Sequence, residues 1–208
     1  MTTLCLASFL IAMGGALDET AAAAPQSVDQ PFESQPVGSP IPQPPDSAAG
    51  PEQGEFTRSA ELSLEQGDYL GAAEALLAGL ELSGANPGSD PRLAGMLTQA
   101  LFLGAESGQM VPYLDRVNQL YPEWPPLPVL KARSLLYLGE LDAAKVLIDR
   151  ALQAAPEDPI ANAVMIDGLR LIEAFEEARA ATAQLLERRP LPPWLVKHLE
   201  EVQAELSS

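Results

Sequence analysis

The sequence predicts an all-α protein made of stacked helix pairs. Three observations carry that reading. The chain is rich in Ala and Leu, and aromatics make up only 5% of its 208 residues. From about residue 55 onward, apolar residues recur at i, i+3, i+4 spacing, the period of a half-buried helix. The chain also resembles itself at a fixed shift: Leu135 meets Leu169, Leu141 meets Phe175, Ala144 meets Ala178, Ala151 meets Leu185 and Pro156 meets Pro190. The opposite shift brings Pro156 onto Pro122, Leu135 onto Leu101 and Ile148 onto Leu114. That shift is a period of about 34 residues, the length of one helix–turn–helix unit in a repeat array.

Residues 1–57 form a separate object. Seven acids and no Lys or Arg precede Arg58. Leu4 to Leu17 is an apolar run of 14 residues, short of the roughly 20 that a helix needs to span a bilayer. With Gly14 and Ala16, or Thr20 and Ala22, offering small residues for a peptidase, residues 1–24 read as a signal peptide. An uncleaved anchor and a segment with no targeting role are the alternatives, because no basic residue precedes the run. Cys5 reads as a small apolar residue inside this leader. Residues 25–54 hold eight of the twenty prolines and show no periodicity. Such a segment buries too little apolar surface to offset its ordering entropy, so a disordered, Pro-rich tether is expected.

Residues 55–208 are then read in units. The first, about 55–83, contains EQGDYLGAAEALLAGLEL and is followed by the loop Ser83–Asp90, whose Gly, Pro, Ser and Asn absorb a four-residue offset. The second, 91–122, departs most. Met110 stands where other units carry a small residue, and Pro112 falls in a helix's first turn, where its missing N–H does no harm. A wider angle between its helices is expected. In the third unit (125–156) and fourth unit (159–190), Ala144 and Ala178 lie early in the second helix, where a small side chain lets helix axes approach. Gly139 breaks between helices, and Pro156 and Pro190 close the units. Residues 192–206 place Leu195, Leu199, Val202 and Leu206 on one stripe and Lys197, Glu200, Glu201 and Glu205 on the other face. That pattern fits a terminal cap, with Trp194 packing against the last pair.

Gly67, Asp68, Tyr69 and Ala72, with the repeat period, the small residues and the closing prolines, resemble the tetratricopeptide repeat family over roughly 55–208. The resemblance implies an α-solenoid of about four helix pairs plus a C-terminal capping helix. It also implies a concave groove lined by the first helix of each pair. In this register the groove candidates are Gln99, Val129, Arg133, Leu136, Ala163, Asp167 and Arg170. Many members of the family clamp a peptide's terminal carboxylate with Lys, Arg and Asn from such positions. Here Asp167 sits between Arg133 and Arg170, which argues against that clamp. Two readings stay open: Arg133 and Asp167 pair across adjacent units, or the groove is mixed apolar and charged and takes a helix or an extended segment.

Composition limits the chemistry. One His and one Cys cannot build a zinc site, an iron–sulfur site or a disulfide. A formal net charge of −17 argues against nucleic acid and anionic membrane surfaces, both of which attract cationic proteins. No nucleophile motif, phosphate-binding loop or metal-ligand spacing stands out, so no catalytic, cofactor or metal residue is expected. His198, the sole imidazole, reads as a surface or rim residue. The expected function is a non-catalytic adaptor or scaffold that binds another protein or peptide. It would be exported (periplasmic, extracellular or in the cell envelope) or held at a membrane by the N-terminal segment alone. The alternatives are self-association through the convex face or through Trp194 and Leu191, and an accessory domain of a larger membrane enzyme.

Overall fold

A computed structural model of the chain describes residues 51–188 and 190–207. The expected leader (1–24) and all but the end of the expected tether (25–54) lie outside the described residues. Those described form nine α-helices and no strand: α1 (Pro51–Gln66), α2 (Tyr69–Ser83), α3 (Pro91–Gly104), α4 (Val111–Leu120), α5 (Leu127–Tyr137), α6 (Leu141–Ala154), α7 (Pro159–Leu171), α8 (Phe175–Glu187) and α9 (Pro193–Glu205). The fold is an all-α helical repeat. α1 opens four residues ahead of the expected boundary at 55, at a proline, the residue best suited to a helix's first turn. None of the described helices is long and apolar enough to cross a membrane.

The pairs are built by one local device. At the end of α1, the Asp68 N–H donates to the Ser63 carbonyl and the Gly67 N–H to that of Leu64. Glu140 and Gly139 donate in the same way to Leu135 and Leu136, and Ala174 and Glu173 to Leu169 and Arg170. This double hydrogen bond ends a helix by placing one residue in the left-handed region. Gly67 and Gly139 take that position with φ of 75° and 81°. In the fourth unit the same position is Glu173, at φ 62°, where a side chain costs about 1 kcal/mol. Asp68, Asp90 and Asp158 then cap α2, α3 and α7 by accepting from Gly71, Arg92 and Ile160 N–H groups.

Packing follows from side-chain size. Ala72, Ala144 and Ala178 are fully buried, as small residues at a helix crossing should be. Gly79 does the same for α1 and α2: a Cβ there would stand 2.9 Å from the Cβ of Phe56. The second pair is the exception that Met110 foretold. α3 and α4 hardly touch one another, whereas α5 with α6 and α7 with α8 pack along their lengths. Met110 is fully buried and its thioether end occupies the space beside Gly104. The splayed α4 leaves an open cleft of about 550 Å³ against α2, lined in part by Leu70, Tyr113 and Arg116. Arg116 spans the gap between these helices, with Nε donating to Glu81 at 2.6 Å.

A closed inner surface

The first helices of successive pairs, α3, α5 and α7, present equivalent positions one repeat apart. One such position carries Gln99, Arg133 and Asp167, and another carries Phe102, Leu136 and Arg170. Arg133 is wholly buried, and its guanidinium organises the surface. Its Nε donates to Asp167 Oδ2 at 2.8 Å, one Nη donates to Glu106 at 2.9 Å and to the Tyr137 hydroxyl at 3.4 Å, and the other donates to the Phe102 carbonyl. The last contact adds a second donor to a carbonyl in the final turn of α3 that also accepts from the Ala105 N–H at the helix end. The guanidinium also lies over the Phe102 ring, 3.9 Å from its centroid, a cation–π contact strengthened by burial.

α9 completes the surface from the far end of the chain. Trp194 packs on Phe102 with ring centroids 5.2 Å apart, and the His198 ring meets Phe102 edge-on at 5.1 Å. His198 Nε2 faces Asp167 Oδ1 at 3.3 Å. Further along α9, Glu205 pairs with Arg170, whose other Nη donates to the Tyr137 hydroxyl at 3.2 Å. Leu195 and Leu199 are fully buried, and Leu206 just past the helix accepts a hydrogen bond from Arg179 of α8 through its carbonyl.

Several expectations change accordingly. Val129, Arg133, Leu136, Ala163 and Asp167, expected to line an open groove, are at most 2% exposed. α5 stacks closely on α7, and His198 of α9 lies against Asp167. Gln99 and Arg170 are half-buried. Arg133 and Asp167 do pair across adjacent units, as one of the two readings had it. His198 is buried at 6% exposure and not on the surface. Trp194 reaches the second pair, not only the last. Phe102, which touches Arg133, Trp194 and His198, was not singled out. Its signal was its register, one turn beyond Gln99 on the same helix.

The electrostatics favour the charged pair. Burial opposes ionisation of Asp167, but the Arg133 guanidinium and His198 more than offset it and hold the carboxyl at about 2. Burial likewise opposes the charge on Arg133, and Asp167 reverses the balance and raises its pKa. Burial and the Asp167 charge push the Tyr137 hydroxyl above its ordinary range, so it stays a neutral donor. A carboxyl whose folded pKa is depressed contributes stability above its unfolded value, and that contribution is lost as pH falls through the folded one. Asp167 should therefore contribute about 2 kcal/mol at pH 5 that vanishes towards pH 2. Urea unfolding of the protein and of Asp167→Asn across that window checks this: the gap between them should narrow as pH falls.

Comparison with known proteins finds no family model, no curated protein and no solved structure that matches the chain. Among the described residues no group of three or more His, Cys, Asp or Glu is placed to hold a metal ion.

Proposed function

We propose that the chain is a binding protein of the tetratricopeptide type, a non-catalytic adaptor that holds another protein against the inner face of its helix array. The observation that carries this reading is the inner face itself. Equivalent positions on successive first helices bear Gln99, Arg133 and Asp167, and Arg92, two turns before Gln99 on α3, lines an open cleft. That cleft, of about 340 Å³, lies between α1 and the start of α3 and is lined by Thr57, Arg58, Glu61 and Arg92 among others. Charges of both signs around an open cleft suit a protein segment better than a small apolar ligand. The apolar run Leu4–Leu17 and the Pro-rich segment after it support a role outside the cytoplasm or at a membrane, with the array on a tether.

The test is a pull-down from cell-envelope extract with the full chain and with an Arg58→Glu/Arg92→Glu variant, whose changes fall on the open cleft. The expected result is a defined partner recovered by the first and reduced at least tenfold with the second. Equal recovery by both chains, or no specific partner for either, overturns the reading.

A further inference from the structure

The inner surface already has an occupant, and the fit between them is uneven. The aromatic half fits well: Trp194 and Phe102 pack with their rings tilted at 54°, within the geometry that aromatic pairs prefer. The polar half does not. Asp167 Oδ1 is buried and faces two cationic side chains, His198 Nε2 at 3.3 Å and an Arg170 Nη at 3.9 Å, yet neither contact has the geometry of a hydrogen bond. The other oxygen, Oδ2, is taken by Arg133. A buried carboxylate oxygen without a donor is costly, and it marks where a better donor would bind. A Lys or Arg in the place of His198 carries several donors on a flexible stem and satisfies that oxygen.

α9 is also held in a way that permits release. Between α8 and α9 the chain runs through Pro190, Leu191 and Pro192, a stiff connection that adds no helix of its own. Glu205, whose side chain is 62% exposed, pairs with Arg170 at the far end of α9, where solvent weakens an ion pair. Lifting α9 breaks the Trp194 and His198 contacts, exposes Leu195, Leu199 and Val202 and parts the Leu206 carbonyl from Arg179, so a displacing helix must supply apolar residues in their place.

We infer that the surface made by Phe102, Arg133 and Asp167 is a receptor for an amphipathic helix, and that α9 fills it in the free chain. The external ligand is a partner helix carrying an aromatic residue followed one turn later by Lys or Arg. The aromatic residue replaces Trp194 on Phe102, and the cation supplies the missing donor to Asp167 Oδ1. This deepens the adaptor reading and rests on it: it names the ligand and makes its binding competitive with the chain's own last helix.

The test uses the full chain and a fluorescein-labelled peptide copying residues 192–207 with His198→Lys, followed by fluorescence anisotropy. The Trp194→Ala/His198→Ala chain, with its occupant loosened, should bind this peptide at least tenfold more tightly than the unaltered chain. The same peptide with Trp194→Ala should bind at least tenfold more weakly. Glu205→Gln, which weakens the hold on α9 away from the receptor, gives a second chain should the double variant fail to fold, and should show a rise of about threefold. Equal affinity of the altered and unaltered chains, or binding that ignores the peptide's Trp, overturns the inference. An envelope partner recovered through the Arg58 and Arg92 cleft would in that case leave the adaptor reading standing, so the two fail separately.

Discussion

Arg133→Met is expected to destabilise the protein by about 3–5 kcal/mol, the cost of stranding one member of a buried ion pair. The methionine nearly matches the volume of the lost side chain, so packing is not the cause. Asp167, at zero exposure, keeps only His198 and the more distant Arg170 as cationic neighbours, and the Phe102 carbonyl loses one of its two donors. The same logic sets the sign of the double variant. In Arg133→Met/Asp167→Leu both charges are gone, and apolar replacement of a whole buried pair is often neutral or stabilising. Most of the single-variant loss should be recovered. Urea unfolding followed by circular dichroism measures both. A single variant within about 1 kcal/mol of the parent would mean that water reaches Asp167.

Phe102→Ala is the second large effect, about 3–5 kcal/mol for removing a fully buried aromatic ring. Its distinguishing feature is where the loss is felt. The ring touches Arg133 within the array and Trp194 and His198 on α9, so its removal loosens a helix at the other end of the described chain. Backbone amides of α9 should lose hydrogen-exchange protection before those of α6. A double-mutant cycle with Trp194→Ala should return a coupling of about 1 kcal/mol, the range for an aromatic pair. Additivity of the two changes would mean that the rings do not meet.

These residues mark the boundary of what the sequence made legible. The array was readable because its causes are local and repeated. Gly67 and Gly139 supply the left-handed turn, Ala144 and Ala178 the close crossing, and Pro122, Pro156 and Pro190 the ends of the last three units. A further signal lay unused: Pro91, Pro125, Pro159 and Pro193 recur at the repeat period and mark the start of each first helix from α3 to α9 to within two residues. The splayed second pair was also readable, because Met110 cannot occupy a space made for alanine. Glu173 hid its turn, since only register identifies a left-handed residue that is not glycine.

The inner surface was misjudged for a different reason. A helix stripe says which side is apolar but not what lies opposite. Arg133 and Asp167 look alike whether they face solvent or each other, and nothing near Trp194 announces Phe102. Arg133 and Asp167, two of the four polar residues assigned to an open groove, are instead fully enclosed. They are enclosed by each other, by Phe102 and Tyr137 over Arg133, and by His198 from the end of the same chain over Asp167. His198 shows the same effect: on its own helix it neighbours Lys197 and looks superficial, and only the meeting with Asp167 and Phe102 buries it.

The closure of the inner surface by α9 is the central claim, and one contact tests it most directly. In the full chain, a nuclear Overhauser measurement between the Trp194 indole and the Phe102 ring reads their separation. Centroids 5.2 Å apart predict clear cross-peaks between the two rings, lost on Phe102→Ala. An assigned spectrum in which Trp194 shows no contact with Phe102 and its indole N–H exchanges as freely as in an isolated peptide would contradict the account.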